Sequence, residues 1–451
     1  MLLLTTTDMK KKNSVWDFFA SVKLALCILC MLACTSIIGT VIPQKKPLPW
    51  YAQEYGDNLA RLFNIFDIPD MYSSWWFLLL LGLLSTNLII CSFDRFPGVW
   101  KQIKADGLQP PLKRLQKMGR KREWHSNSSV QSAVSELSGK LNGRGWKSRI
   151  CDSDGGILLF AQKGAYSRTG VYLVHASILI IFVGAIIGEF YGFKGSIMIP
   201  ETQQTDTIYA FNSSETINLG FTIRCDSFAI EFYPSGMAKE YKSTLTVLEN
   251  GTELFQTPIE VNSPLTYRGV TFYQSSYEGY NDFIVKVTNK RSGNNMSSII
   301  PFQEQSKWTE EGLSYGIINA EMTGQSVSRI KMWVSDGREA PSVFWLKDGE
   351  STTVERKKGA YLLSAKQMYG TGLQVCKDPG VWIVYIGCVL ILLGLAVAFF
   401  MSHKRIWLFI KEEEDGVSIL LTGSANKNRA GFAKIFDALA ETLQLTQERI
   451  S

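Results

Sequence analysis

Four apolar stretches of about 20 residues, almost free of charged side chains, constrain this chain more than any other feature. A helix of that length crosses the hydrocarbon core of a bilayer, because its backbone polar groups are all satisfied within the helix. The 451 residues are 46% hydrophobic, which is close to the value for an ordinary soluble protein. The prediction therefore depends on the clustering of the apolar residues along the chain and not on their overall fraction. We predict a membrane protein with four transmembrane α-helices. A purely soluble, a disordered or a small disulfide-rich protein is excluded.

The spans and the polar segments between them divide the chain into nine parts. In order, the predicted parts are an N-terminus (1–21), the first span (22–42), a loop (43–74), the second span (75–93), a basic α/β segment (94–170), the third span (171–191), a β-domain (192–380), the fourth span (381–401) and a tail with an amphipathic helix (402–451).

The distribution of charge predicts the orientation of these parts. Lysine and arginine outnumber aspartate and glutamate in residues 1–23 and 94–170, whereas residues 191–380 carry a small acidic excess. Basic segments beside spans stay in the cytoplasm, so both termini are predicted to be cytoplasmic and the β-domain extracytoplasmic. The net charge of +6 follows from this sorting, and no nucleic-acid partner is predicted. The basic run Lys113–Arg122 is either sorting charge or a contact with anionic membrane lipid.

The segment between the third and fourth spans has the pattern of β structure. Runs such as FTIRCDSFAIEF, YKSTLTVLE and VTFYQSSY are rich in β-branched and aromatic residues, and Asn250-Gly251 lies between two such runs as a hairpin turn would. No helical pattern of comparable length interrupts them. The fold class is therefore predicted as four transmembrane α-helices with a large extracytoplasmic all-β domain, sandwich-like or barrel-like, between spans three and four.

The cysteines do not indicate a redox or zinc centre. Cys27, Cys30 and Cys34 lie on one face of the first span, well inside the apolar stretch and without a basic neighbour that would activate a thiol, so we interpret them as packing residues. Cys225 and Cys376 lie in the predicted outer segment, where a disulfide between them is allowed. The sequence alone does not say whether their Cα atoms come close enough.

The chain has three dispersed histidines, a poor set for zinc, and no P-loop, G-x-S-x-G or H-E-x-x-H motif, so we predict no catalytic residue. His125 and His403 are interpreted as a loop residue and a solvated residue at the membrane surface. His175 lies four residues into the third span, where an ionisable side chain is a functional hypothesis by default.

The surroundings of His175 leave two possibilities open. Gly184 and Gly188 form a G-x-x-x-G motif, which lets another helix approach closely, and Gly184 lies on the opposite side of the helix from His175. The imidazole is thus available to a partner or a cavity. The alternative is an interhelical hydrogen bond, for example to Asn87 of the second span.

Five stretches in order resemble the ResB (CcsB) family, a membrane subunit of System II cytochrome c biogenesis. They are SVKLALCILCMLACTSIIGTVIPQ, SSWWFLLLLGLLSTNLIICSFDRFP, KGAYSRTGVYLVHASILIIFVGAIIGEFYGFKGSIMIPE, VNSPLTYRGVTFYQSSY and GTGLQVCKDPGVWIVYIGCVLILLG. The resemblance runs from Val22 to the C-terminal helix. It includes the family's four spans with the large outer domain between the third and the fourth.

The resemblance implies a CcsA (ResC)-type membrane partner in a bacterial or plastid-type cytoplasmic membrane. With that partner the chain would export haem b and support its attachment to apocytochrome c, as a non-catalytic or shared-site subunit of a haem lyase. In the family, a histidine of the third span is regarded as an axial ligand of haem iron, opposite a histidine from CcsA, and the matching residue is His175. The tryptophan-rich WGxxWxWD-type segment of the CcsA half is absent from this chain.

Two other hypotheses remain open. The chain could be a membrane-anchored scaffold whose outer β-domain recruits apocytochrome or stabilises CcsA without binding haem. A weaker alternative is an envelope sensor or adhesin without a link to haem.

Overall fold

The computed structural model describes residues 14–105, 107–108, 111–153, 155–211, 215–233, 238–323 and 326–448. The helices are α1 (Ser14–Phe19), α2 (Val22–Val41), α3 (Leu48–Tyr55), α4 (Asp57–Ile65), α5 (Trp75–Lys104), α6 (Leu112–Gln116), α7 (Val130–Gly143), α8 (Gly170–Tyr191), α9 (Val381–Phe400) and α10 (Arg429–Glu448). Short 3-10 helices cover Ile68–Ser73 and Ala165–Thr169.

The strands fall into three groups along the chain. They are β1 (Lys121–Ser126), β2 (Lys147–Ser153), β3 (Gly156–Lys163), then β4 (Phe193–Pro200), β5 (Gln204–Ala210), β6 (Thr216–Phe232), β7 (Ala238–Glu249), β8 (Thr252–Glu260), β9 (Leu265–Tyr267), β10 (Val270–Asn289), β11 (Asn295–Pro301), β12 (Gln305–Trp308), β13 (Leu313–Thr323), β14 (Ser326–Ser335), β15 (Ser342–Lys347), β16 (Ser351–Arg356), β17 (Gly359–Lys377), and finally β18 (Lys404–Glu413) and β19 (Gly416–Ala425).

The four predicted spans are confirmed as long apolar helices, α2, α5, α8 with the turn before it, and α9. Helix α5 continues beyond the predicted end of its span to Lys104, passing through Pro97. The apolar stretch of the sequence ends near Phe93, but the charged residues that follow remain helical. The length of the apolar stretch therefore underestimates the length of the helix. Among the described residues, the chain divides into two compact units, Met1–Val183 with Ile383–Ser451, and Gly184–Trp382.

In the first unit, small residues allow α8 and α9 to pack closely. A Cβ added to Gly387 would lie 2.5 Å from the Ile181 side chain, and one added to Gly394 would lie 2.8 Å from that of Val174. Helices α2 and α5 instead meet through an apolar cluster built on Ile28, Leu84 and Leu88. Most other apolar side chains of the spans are exposed on the chain itself, as expected of helices that face lipid or another subunit.

A five-stranded antiparallel sheet joins two distant parts of the same unit. Its strand order is β1-β19-β18-β3-β2, so the strands that follow the fourth span lie among those that precede the third. Helices α7 and α10 cover one face of the sheet, and a second cluster that includes Leu115 of α6 covers the other. The basic α/β segment and the tail, which we predicted as separate parts, therefore form one domain. We call it the split domain.

Strands β18 and β19 have no counterpart in the sequence prediction, which gave the tail only a helix. The apolar run of β18 is continuous: Ile406, Leu408 and Ile410 lie in the cluster under the helices, while Trp407 and Phe409 lie in the opposite one. Because both faces are covered, the run lacks the alternation that identifies a half-exposed strand.

The second unit confirms the predicted all-β region. A ten-stranded sheet contains the path β11-β10-β17-β4-β5-β6-β7-β8, with β9 and β16 pairing at its side, and a four-stranded sheet has the order β12-β13-β14-β15. The pairing of the long strands β10 and β17 shifts register between Gly279 and Phe283 of β10. On either side of this shift, both strands contribute side chains to a separate apolar core. Asn250 and Gly251 both adopt positive φ and connect β7 to β8, as the hairpin prediction requires.

The two cysteines of this unit are free thiols, so the allowed disulfide is not formed. Cys225 is fully buried in β6, and burial raises the pKa of its thiol to about 12. Cys376 lies on β17 and is partly buried, with a thiol pKa that is also raised by burial. Both thiols are therefore protonated and unreactive at neutral pH.

A buried ion pair links β17 to the start of the second unit. The Glu201 carboxylate, 1% exposed, accepts from Lys366 Nζ at 2.6 Å and from the backbone N–H groups of Phe228 and Tyr369. Removing one partner of a buried pair costs about 3–5 kcal/mol, because the other charge stays buried. We expect Glu201→Ala to destabilise this unit by about 3 kcal/mol, since Lys366 is partly exposed and regains water. Thermal unfolding measures the change, with the exposed Glu355→Ala as the control; an equal, small effect of both variants would contradict the prediction.

Candidate functional site

The third-span histidine lies between two helices of the first unit. His175, on α8, makes a hydrogen bond of 3.0 Å between its Nδ1 and the hydroxyl Oγ of Ser92 on α5. The alternative partner that we named, Asn87, is engaged elsewhere, because its Nδ2 donates to the carbonyls of Phe19 and Ser21 at 2.6 and 3.1 Å. The interhelical hydrogen bond therefore exists, but with Ser92.

This hydrogen bond leaves the second ring nitrogen of His175 available. Among the described residues, no side chain or backbone group makes a hydrogen bond with Nε2 of His175. When Nδ1–H donates to the Ser92 hydroxyl, the lone pair of Nε2 is free for a metal. Histidines that ligate metals almost always donate their other ring N–H to an oxygen in this way.

His175 lines a cavity of about 400 Å³, a size within the range of ligand sites. Its walls come from α2, from α5, from the start of α8 and from the loop that follows β19. The apolar part of the lining includes the aliphatic residues Val22, Ala25, Leu88, Val99 and Val171. The cavity is therefore a largely apolar space whose lining includes one imidazole.

Aromatic rings continue the apolar surface from the imidazole along α5. The Tyr172 ring lies edge-on to His175 with centroids 6.3 Å apart, and Phe96 lies 5.1 Å from Tyr172. Phe96 in turn stacks on Trp100 at 5.7 Å. Of these three aromatic rings, only Tyr172 lines the cavity; Phe96 and Trp100 continue from it along α5, with edge-to-face and stacked contacts.

Three cationic side chains also line this cavity. They are Arg95 of α5, Arg168 of the 3-10 turn before α8, and Lys427 of the loop after β19; none of the lining residues is acidic. Sequence reasoning missed them, together with Ser92, because they are separated by up to about 330 residues and only the closure of the split domain brings them to one cavity.

The position of His403 corrects our prediction of a solvated residue. Its side chain is buried, at 1% exposure, where β18 begins. Arg168 Nε donates to Nδ1 of His403 at 2.9 Å, and Nε2 lies 2.9 Å from the Gln162 side-chain oxygen. An N–H donor on Nδ1 requires the lone pair there, so the proton is on Nε2 and the ring is neutral. A histidine between a span and Lys404-Arg405 resembles an ordinary basic flank, and no sequence signal reveals its burial.

The neutral state of His403 predicts a pH dependence of the split domain. Burial, then Arg168 and Arg405, lowers the pKa of His403 from 6.5 to about 4. Because the folded pKa lies below the unfolded one, the stability is complete above about pH 6.5 and is lost as the pH falls towards 4. At about 1.36 kcal/mol per pKa unit, the loss amounts to about 3 kcal/mol. Unfolding measured between pH 7 and 4 should show this slope, and His403→Gln should remove it. An unchanged slope in that variant, or the same flattening in the exposed His125→Gln control, would contradict the assignment.

The remaining histidine and the span cysteines stay at the surface of the chain. His125 lies on β1, and so not in the predicted loop, and pairs with Glu413 at 2.9 Å. Cys27, Cys30 and Cys34 are free and exposed on α2, so they do not pack inside the chain as we had interpreted them.

Four membrane-spanning helices, an intramembrane histidine on a cavity and a large all-β region define a multi-pass membrane protein with a candidate ligand site in its bundle. The sequence model of the ResB-like family matches residues 22–355 and 325–437, and the chain belongs to this family. The resemblance deduced from the sequence motifs is thereby confirmed.

Relatives similar to this chain are cyanobacterial proteins named cytochrome c biogenesis protein CcsB. The protein of Synechococcus sp. (strain JA-3-3Ab) is 28% identical over 449 residues, which cover 95% of this chain and 90% of the relative. The protein of Microcystis aeruginosa (strain NIES-843 / IAM M-2473) is 27% identical over 471 residues, with 98% and 99% covered. That of Nostoc sp. (strain PCC 7120 / SAG 25.82 / UTEX 2576) is 29% identical over 428 residues, with 91% and 88% covered.

Proposed function

We propose that this chain acts in cytochrome c biogenesis as the haem-handling subunit of a membrane synthase. Family membership and the CcsB relatives support the general role. The observation that supports haem handling is the placement of His175: its Nε2 is unpaired among the described residues, on a cavity large enough for a ligand. The substrates are haem b and apocytochrome c.

The residues around the cavity fit a haem group. A neutral imidazole is a common ligand of haem iron, and the apolar side chains that line the cavity, Tyr172 among them, suit the apolar part of a porphyrin. Bound there, the haem would supply the iron and the vinyl groups that become thioethers. In this proposal Nδ1–H of His175 donates to the Ser92 hydroxyl, which leaves Nε2 for the iron, and Arg95 and Arg168 provide positive charge beside an anionic ligand.

A second membrane subunit of the CcsA (ResC) type completes the site in this proposal. His175 would hold the haem iron from this chain, and the partner would supply the remaining residues of the site. Helices α2, α5 and α8 expose many apolar side chains on the chain itself, which leaves surface for such a subunit. In this proposal thioether formation takes place with that partner.

The orientation places haem loading on the cytoplasmic side. Both termini and the split domain lie in the cytoplasm, and β4–β17 lie outside the membrane on the other side, as the basic flanks predict. The cavity then lies about one helical turn inside the cytoplasmic surface, since His175 is in the second turn of α8. The outer β region presents apocytochrome to the complex.

The spectrum of the purified complex tests this proposal. Co-expression with a CcsA-type partner should give a complex with a haem absorbance, and His175→Gly should lose most of it. Added imidazole should restore the absorbance in that variant, because it fills the vacated ligand position. A scaffold that never touches haem predicts equal absorbance for the wild type and His175→Gly, and that result would replace our proposal by the scaffold hypothesis.

A further inference from the structure

The cavity beside His175 carries positive charge without a matching negative group. Arg95, Arg168 and Lys427 line it, and no lining residue is a carboxylate. Among the residues that the structure describes, none of the three forms an ion pair within 4.0 Å. These three positive charges beside an apolar cavity therefore suit an anionic ligand that comes from outside the chain.

The three cations differ in how they are held. Arg168 is half-buried and donates through Nε to the neutral His403, which fixes the guanidinium plane and leaves its two terminal NH₂ groups for a ligand. Lys427 donates to the carbonyl of Ala398 near the end of α9. The guanidinium of Arg95 makes no hydrogen bond with any described residue. Sorting charge at a membrane surface needs no such fixation, so the buried His403 contact indicates a directional role for Arg168.

We propose that Arg95 and Arg168, assisted by Lys427, bind the two carboxylates of a porphyrin whose iron lies at His175. The inference rests on the proposed haem function and deepens it by assigning the groups that recognise the ligand. A guanidinium forms two parallel hydrogen bonds with a carboxylate, which fixes direction as well as charge. The apolar lining residues, among them Val99 and Tyr172, would contact the ring.

The arrangement also explains why the split domain contributes to the cavity. Lys427 follows β19, and Arg168 is held by His403 at the beginning of β18. A ligand carboxylate on these groups joins α5, α8 and the split domain through a single molecule. His403 is then a positioning residue, which acts on the ligand through Arg168.

Comparison of a porphyrin diacid with its diester tests the assignment directly. The probes are iron protoporphyrin IX and its dimethyl ester, titrated by absorbance into the haem-depleted complex of the full chain with its CcsA-type partner. Wild-type complex should prefer the diacid by about tenfold or more, because only the diacid accepts charge-assisted hydrogen bonds. Arg95→Gln and Arg168→Gln should each remove most of this preference while leaving the affinity for the ester unchanged.

The control is Lys101→Gln, which removes one positive charge from the exposed face of the same helix α5 without lining the cavity. It should keep the full preference. Arg168→Lys keeps the charge but loses the two parallel N–H donors of the guanidinium, so the logarithm of the diacid-to-diester affinity ratio should fall by about half. An unchanged melting temperature of this variant shows that the loss comes from recognition and not from misfolding.

The outcomes separate the inference from the function on which it rests. Equal affinity of the wild type for diacid and diester, or an equal loss of preference in Lys101→Gln, would overturn the carboxylate assignment and leave haem binding intact. Failure of the wild-type complex to bind either porphyrin would overturn the proposed function itself.

Discussion

Cytochrome c maturation is expected to fall by more than about 100-fold when His175 is replaced by alanine. Loss of a group that merely orients a metal-bound histidine costs about 10–100-fold in affinity or activity, and the ligand itself must count for more. The fold should survive, because the side chain is only partly buried and its one hydrogen bond is to Ser92. Covalent haem staining of a co-expressed cytochrome c measures the effect.

Two further variants sharpen that result. Ser92→Ala keeps the ligand but not the hydrogen bond that selects its tautomer, so we expect a loss of about 10-fold. Thr86→Ala on the same helix is the matched control, because its hydroxyl bonds only within α5, to the Gly82 carbonyl at 2.9 Å. Wild-type maturation in His175→Ala would exclude the ligand role and favour the scaffold hypothesis.

The second large effect is expected from a chain that ends at Ser402. Such a chain lacks β18, which pairs with β3 on one side and β19 on the other, and β1 then has no partner strand. Each large apolar side chain lost from a core contributes about 1.5–3 kcal/mol, and a domain is stable by only about 5–15 kcal/mol. The split domain should therefore not fold. Immunoblots of membranes, with limited proteolysis, should show residues 111–163 fully degraded.

A chain that ends at Glu448 is the control for this truncation, because it keeps β18, β19 and α10. It should accumulate and resist protease like the full chain. A protease-resistant 111–163 fragment in the shorter chain would mean that this segment folds without the tail, as our sequence prediction of two separate parts implied.

The sequence predicts those features whose signals are local. A charge-free stretch of 20 residues is sufficient for a membrane helix, and Asn250-Gly251 is sufficient for its hairpin turn, because a neighbouring backbone conformation decides each of them. His175 stands out for the same reason, since an imidazole inside an apolar helix is unusual on its own.

The features that the sequence does not predict depend on distant contacts. Strand β18 is apolar on both faces because α10 and α6 cover it from opposite sides, and nothing near Ile406 indicates this. His403 is buried by Gln162 and Arg168, which precede it by more than 230 residues. The choice of Ser92 over Asn87 depends on helix register and on the engagement of Asn87 with the carbonyls of Phe19 and Ser21.

The strand order of the split domain has a consequence for synthesis. Strand β3 emerges from the ribosome long before β18, which it needs as a neighbour, and the two spans α8 and α9 must enter the bilayer between the two events. Pairing between such distant strands is slow, because a long loop must close first. The wall that Lys427 adds to the cavity is thus completed last, so a nascent or prematurely terminated polypeptide has the cavity only in an incomplete form.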